Sequence, residues 1–118
     1  MIEAHGPPPL THRTADFRGA PAAFLRDGNA VAGLLLSAAG AAGLATFEPP
    51  LIRTLPREGI AVVVLLDLGH MSVHTIPARE LLVLDLLVPA GRDPQKAVDV
   101  FVRKLGVTES RTARLDRG

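Results

Sequence analysis

The 118-residue chain contains no cysteine, no tryptophan and no tyrosine, and phenylalanine occurs only four times. Without cysteine, disulfide bonds and thiol nucleophiles are excluded. Because 47% of the residues are hydrophobic and so few are aromatic, the core has to be built from leucine, valine and alanine. A chain of this length is expected to form one domain around a single two-layer core.

Neither sign of charge is in clear excess, since the chain has 13 lysines and arginines and 12 aspartates and glutamates. The one basic cluster is at the tail, where Arg111, Arg114 and Arg117 have no aromatic neighbours on which a base could stack. Because nucleic-acid binding needs a basic face, we expect no nucleic-acid partner.

No apolar stretch is long enough for a membrane span. Residues 30–45, AVAGLLLSAAGAAGLA, fall short of the roughly 20 residues that a bilayer requires, and three glycines dilute them. This run predicts a helix of the core rather than a contact with a membrane. The start of the chain has no basic segment followed by an apolar one, so we expect no signal peptide and a cytoplasmic location.

Two helices can be predicted from the residues at their ends. The first follows Asp27 or Asn29, either of which can act as the N-cap, and ends near Ala42, just before Gly43. The second lies in residues 93–106, DPQKAVDVFVRKLG, with an aspartate as N-cap, a proline at the first helical position and a glycine as the stop.

Most other segments are typical of β-strands, although the first eleven residues, with three consecutive prolines, predict a flexible arm. Residues 59–68 and 80–88 are dense in valine and leucine, which is typical of strands buried on both faces. Two adjacent prolines in the segment 44–54 predict a sheet edge or a bulge rather than a central strand. The other predicted strands are 12–18, 70–76 and 107–115.

This order of elements predicts an α/β fold in two layers, with a single domain over residues 12–118 behind an arm of residues 1–11. Each helix has one apolar stripe, so the two helices share one face of the sheet or cover both. A sheet face left bare would be a dimer surface.

The segment from residue 69 to residue 80, GHMSVHTIPARE, carries three reactive side chains at alternate positions. On a strand, His70, Ser72 and His74 point to one face at intervals of about 7 Å. The two histidines are then about 13 Å apart, which is too far to bind one metal ion, so no metal site is expected. A helix would bring them together as zinc ligands, but the β-branched residues between them favour a strand.

Asp85 lies inside an apolar strand, where an unpaired carboxylate is costly. A bond to a histidine of the neighbouring strand would satisfy it and would orient the imidazole for proton transfer. Bonds to backbone amides are an equally good alternative for Asp85. A backbone carbonyl is likewise the ordinary partner of a single histidine.

The segments GHMSVHTIP, LLVLDLLVPAG and DPQKAVDVF together resemble the bacterial type of S-adenosylmethionine decarboxylase, a small pyruvoyl enzyme of spermidine synthesis. The motif of that family runs Glu-Ser-His-x-Ser-x-His-Thr-x-Pro, followed by an Asp-x-Phe-Thr-Cys-Gly strand and a helix. The resemblance is good over residues 59–105 and fainter but collinear from His12. It implies a mostly antiparallel sheet with two helices on one face, and protomers that pair sheet to sheet as a homodimer.

The sequence departs from this family where the prosthetic group is made. Members cut their chain before the serine of the Glu-Ser pair and convert that serine into the pyruvoyl group, but here the pair reads Leu68-Gly69. Glycine has no hydroxyl, so no pyruvoyl cofactor is expected. The second processing serine of the family falls on Ala61, and its cysteine proton donor falls on Pro89. Self-cleavage at Ser72 is disfavoured because that residue lies inside a strand rather than at a strained turn.

Two functions follow from this resemblance, while an ordinary decarboxylase is disfavoured. The first is pyruvoyl-independent acid–base chemistry on a small molecule or peptide in specialised biosynthesis. In it His74 is the acid or base, Asp85 or a backbone carbonyl sets its tautomer, and His70 or Ser72 holds the ligand. The second is a non-catalytic homologue that binds a ligand such as S-adenosylmethionine or regulates an active decarboxylase. Phe47 is the best-placed aromatic side chain for stacking on an adenine.

Overall fold

The computed structural model describes residues 6–118, which fold around one core. The expected arm of residues 1–11 thus lies partly outside the described residues, and its last two residues already belong to the first strand. In chain order the elements are β1 (Leu10–Arg18), α1 (Ala22–Leu25), α2 (Gly28–Ala41), β2 (Leu51–Thr54), β3 (Ile60–Leu65), β4 (His70–Ile76), β5 (Leu81–Pro89), α3 (Pro94–Leu105) and β6 (Glu109–Arg117), with 3₁₀ turns at Pro56–Glu58 and Pro77–Arg79.

The strands form one sheet in the order β2-β3-β4-β5-β1-β6, and every neighbouring pair is antiparallel. The two long helices, α2 and α3, pack against each other and against the same face of the sheet. The two-layer α/β sandwich with both helices on one face is therefore confirmed. The short strand β2, which follows the two prolines, lies at an edge as predicted.

Helix α3 begins and ends where its sequence predicts. The side chain of Asp93 accepts a hydrogen bond from the backbone N–H of Gln95, and Gly106 ends the helix with a φ of 60°. Phe101 of this helix stacks on Phe17 of β1, with 5.5 Å between the ring centroids. These two fully buried rings attach α3 to β1, which lies between β5 and the edge strand β6.

Helix α2 is capped by Asp27 rather than by Asn29, because the carboxylate of Asp27 accepts a hydrogen bond from the backbone N–H of Ala30. The helix ends at Ala41, and Gly43 beyond it has a φ of 70°. Within residues 6–118, neither this helix nor another combines the length and apolarity of a membrane span.

Within residues 6–118 nothing covers the second face of the sheet, and we call it the open face. Along each inner strand, side chains alternate between the helix-covered core and this face. The prediction that 59–68 and 80–88 are buried on both faces is therefore wrong for the single chain. Val63 and Leu65 of β3 are exposed on the open face, while the outward residues of β5 are half-buried.

Candidate functional site

The polar residues of the open face meet at its centre, where β4, β5 and β1 run side by side. The strand register places Ser72, Asp85 and Thr14 in one row across these three strands. In the adjacent row, His70 and His12 lie on either side of Leu87. Because residues diagonal to each other on neighbouring strands are still within reach of long side chains, both histidines can contact the carboxylate of Asp85.

Asp85 contacts a histidine on each side. Its Oδ1 is bonded to Nε2 of His12, and its Oδ2 lies 3.5 Å from Nε2 of His70. The side chain of Asp85 is 40% exposed, so solvent or a ligand can also reach it. The expected alternative of backbone amide bonds is not the one adopted, because a histidine partner satisfies the carboxylate.

The ring of His12 is held at both nitrogens. Nη1 of Arg117 lies 3.4 Å from Nδ1 of His12, while Nε2 is bonded to Asp85. Arg117 is on β6 and His12 on β1, and Asp85 and His70 are on the next two strands. A line of side-chain contacts thus crosses four consecutive strands, and we call these four residues the Asp85 line.

His74 is not the β4 histidine that contacts Asp85, contrary to the expectation that Asp85 sets its tautomer. Within residues 6–118, no ring nitrogen of His74 lies within 4.0 Å of a carboxylate, and the β4 histidine that reaches Asp85 is His70. The register alone does not decide this, because Asp85 lies opposite Ser72 and both His70 and His74 are diagonal to it. The carboxylate is drawn toward the row of His70, because His12, which is bonded to its Oδ1, lies in that row. His74 itself is exposed.

A shallow cleft on the open face joins three of the predicted residues. It has a volume of about 250 Å³, and its lining includes Ser72, His74, Asp85 and Asp16. The four predicted residues of β4 and β5 therefore share one face, although they do not form one hydrogen-bonded group. Among residues 6–118, no group of three or more histidine and acidic side chains is arranged to hold a metal ion.

Phe47 does not belong to this group of residues. Its side chain is 70% exposed, and its backbone N–H donates to the carbonyl oxygen of Leu65 at the end of β3. It therefore lies beside β3, two strands away from β5, and does not line the cleft around Ser72.

Gly69 lies in the turn that leads from β3 into β4, where the backbone N–H of Leu66 donates to the carbonyl oxygen of Gly69. Its φ is +101°, a value that side chains with a Cβ rarely adopt. A Cβ built on this residue would overlap the carbonyl oxygen of Leu87 and would lie 2.9 Å from the carbonyl carbon. The backbone of this turn therefore leaves no room for a side chain at residue 69.

Sequence reasoning missed His12 and Arg117 as members of the site. The alternation of β1 does put His12 on the same face as Asp16, which is a signal of a one-sided polar strand. Local sequence could not indicate, however, that β1 inserts between β5 and β6, and only this insertion brings His12 to Asp85.

Known proteins with similar sequences or structures agree in their descriptions. The family model of S-adenosylmethionine decarboxylase matches residues 11–118. An S-adenosylmethionine decarboxylase proenzyme of Brevibacillus brevis is 32% identical over 108 residues, which cover 91% of this chain and 80% of that protein. A proenzyme of the same name from Pyrococcus furiosus is 27% identical over 108 residues, covering 91% and 77%. The crystal structure of the adenosylmethionine decarboxylase from Aquifex aeolicus has a TM-score of 0.85, with 24% identity, over 96% of this chain and 93% of that one.

Proposed function

This chain belongs to the S-adenosylmethionine decarboxylase family, and from that premise we propose that it does not cut itself and carries no pyruvoyl group. The conformation of Gly69 carries this proposal. The family's pyruvoyl precursor is a serine at this position, yet a Cβ here would overlap the backbone of Leu87. The residues present therefore do not fit the precursor, and no reaction step through a pyruvoyl is derived.

Three other positions support the same proposal. By resemblance to the family, Ala61 replaces a processing serine, and it lies directly opposite His74 across the β3–β4 pair. A methyl group cannot exchange a proton with that imidazole. Pro89, the last residue of β5, replaces the cysteine proton donor, and Leu68 replaces the glutamate before the cleavage site. The histidine thus keeps its place but has lost the hydroxyl opposite it.

Mass spectrometry tests this proposal directly. We expect the purified chain, measured under denaturing conditions, to give one species near 12.4 kDa. A fragment covering residues 69–118 and carrying a keto group at its front would contradict the proposal. A second measurement after long incubation at elevated temperature distinguishes slow self-cleavage from none.

We propose that the open face instead carries out acid–base chemistry on a small molecule or peptide. An imidazole that transfers a proton through one nitrogen is oriented by a partner at the other. Asp85 has this position relative to Nε2 of His70, so Nδ1 of His70 is the atom that gives or takes the proton. Ser72 and His74 line the adjoining cleft and would hold the ligand.

A second candidate function is favoured by the shape of the site. The Asp85 line lies on an uncovered sheet face, and the adjoining cleft is shallow, whereas catalytic sites commonly exclude water. A non-catalytic homologue that binds S-adenosylmethionine or regulates an active decarboxylase would need no such enclosure. His70→Ala separates the two functions: a catalyst keeps ligand binding and loses turnover, whereas a binding protein has no turnover to lose.

We also propose that the chain forms a homodimer through its open face. Several large apolar side chains are exposed there beside the polar centre, which is unusual for a surface in contact with water. A second copy laid against this face would cover them and would enclose the Asp85 line. The exposed apolar residues on this face are Leu51, Val63, Leu65, Ile76 and Leu115.

The contacts of the Asp85 line predict which nitrogen of His12 carries the ring proton. The guanidinium of Arg117 can only donate, so Nδ1 of His12 has to accept, and the ring proton is on Nε2, facing Asp85. We expect long-range ¹H–¹⁵N NMR to find this tautomer of His12. Arg117→Ala should convert it into a mixture of tautomers.

The matched control is Arg114→Ala, which removes an arginine from the same strand but from its other side, where it pairs with Asp116. This variant should leave the His12 signals unchanged. A His12 ring with its proton on Nδ1 in the unmodified chain would show that Arg117 does not hold this ring.

A further inference from the structure

A second cleft lies at the end of β4, beyond the Asp85 line, and we call it the turn cleft. Its volume is about 540 Å³, which is in the range of small-molecule sites. The 3₁₀ turn Pro56–Glu58 forms one wall and the 3₁₀ turn Pro77–Arg79 the other, while His74 and Ile76 of β4 lie between them.

The chemistry of this lining combines apolar surface with positive charge. Leu55, Ile76 and the two prolines that begin the turns supply the apolar part. Each wall also contributes one arginine, Arg57 or Arg79. Within residues 6–118, neither of these two arginines forms an ion pair, and no acidic residue lines the cleft; the neighbouring Glu58 pairs with Arg26 at 3.6 Å. The cleft therefore carries a net positive charge.

The backbone holds one of these arginines in an unusual conformation. Arg57 has φ 61° and ψ 33°, and Glu58 has φ 64°, so two successive residues other than glycine are left-handed. The turn is closed by a 2.7 Å hydrogen bond from the N–H of Leu55 to the carbonyl oxygen of Gly59. Strained backbone of this kind clusters at sites that position a side chain for a ligand.

We propose that the turn cleft binds a small organic anion, in which a carboxylate or phosphate is attached to an apolar body. The anionic group lies between the guanidiniums of Arg57 and Arg79, which match the geometry of either group. The apolar body covers Leu55 and Ile76. Binding in this cleft does not depend on catalysis at the Asp85 line, nor on whether the chain is cut.

The test is an NMR titration of the full chain with phenyl phosphate, benzoate and phenol as probes. We expect backbone amide signals of Gly59, Ile76 and Arg79 to shift with either anion. The affinity for neutral phenol should be about ten-fold lower or weaker still, because a hydrogen-bonded charge is lost. The comparison of phenyl phosphate with benzoate decides which anionic group the two arginines prefer.

Two glycine variants separate charge from backbone strain. Arg57→Gly and Glu58→Gly each relieve one left-handed residue, so both should raise Tm. Only Arg57→Gly removes a guanidinium, and we expect it to weaken binding of the preferred anion by about ten-fold or more. Glu58→Gly should stay within about two-fold of the unmodified chain, since surface charges contribute little.

Arg79→Gln is a second variant, which tests the opposite wall without changing a left-handed residue. It should weaken binding as Arg57→Gly does. Equal affinity for phenol and for the anions, unchanged affinity in both arginine variants, or shifts confined to other parts of the chain would overturn the proposal. None of these outcomes affects the intact mass, so the failure of this inference and the failure of the proposed function are distinguishable.

Discussion

Replacing Gly69 with serine is expected to damage the fold without restoring self-cleavage. The variant regains the hydroxyl of the family's precursor, but its Cβ would overlap the carbonyl oxygen of Leu87. The positive φ costs about 1–3 kcal/mol, and shifting the backbone of β5 adds about 3 kcal/mol, the upper end of overpacking. We expect urea unfolding to give a loss of about 4 kcal/mol or more, and mass spectrometry to find an uncut chain.

Gly91→Ser is the matched control for this experiment. Gly91 has φ +92°, close to the +101° of Gly69, but a Cβ at Gly91 meets no atom of the described residues within 4 Å. Only the conformational cost of about 1–3 kcal/mol remains in this variant. The difference between the two variants therefore measures the overlap with Leu87. Efficient cleavage in Gly69→Ser would mean that a hydroxyl alone was missing, and that the turn adapts to it.

The helices were the most predictable part of the fold, because their signals are local. The N-cap Asp93 and the stop Gly106 act within one turn of the helix that they delimit, and both are confirmed. At α2 the sequence left two N-caps open. The structure uses Asp27, since its side chain reaches the N–H of Ala30 three residues later.

The burial of the strands was less predictable. An apolar run such as IAVVVL indicates that a strand is apolar on both faces, but not what covers the second face. In the single chain, Val64 is fully buried while Val63 is exposed, because helices cover one face only. A run of this kind is equally compatible with a second sheet from another copy of the chain, so by itself it predicts two-sided burial.

The centre of the site depends on contacts that are distant in sequence. His12 and Asp85 are 73 residues apart and meet only because β1 lies next to β5, between it and β6. The spacing of β4 correctly put His70 and His74 on one face, but the spacing alone made both equal candidates for Asp85. The strand register also leaves them equal, since Asp85 lies opposite Ser72, midway between the two histidines. The choice comes from β1, because His12 bonds Asp85 from the row that also contains His70.

The open face has two chemically different halves, and this division bears on the proposed dimer. From β4 to β6 it carries the Asp85 line, Asp16 and Arg111, whereas on β2 and β3 it carries Leu51, Val63 and Leu65. A two-fold dimer brings the same surface of both copies together. The apolar half would supply its affinity, and the polar half would be enclosed as a consequence.

Val63→Asp is therefore expected to abolish association of the chain. In the proposed dimer each copy would bury an unpaired carboxylate, a change that costs about 3 kcal/mol or more. Sedimentation velocity should then find a dissociation constant that is higher by about 100-fold or more. In the monomer Val63 is 37% exposed, so the variant chain itself should fold, and circular dichroism checks this.

Val102→Asp is the control that makes this result specific to the open face. Val102 lies on α3 and is also 37% exposed, so it has the same residue type and the same exposure on the opposite layer of the molecule. Its substitution adds an equal charge and should leave the dimer intact. If both variants weaken association alike, the effect comes from net charge and not from a shared surface. If the unmodified chain is monomeric at about 100 μM, where even a weak dimer would form, the open face is covered by another molecule or by none.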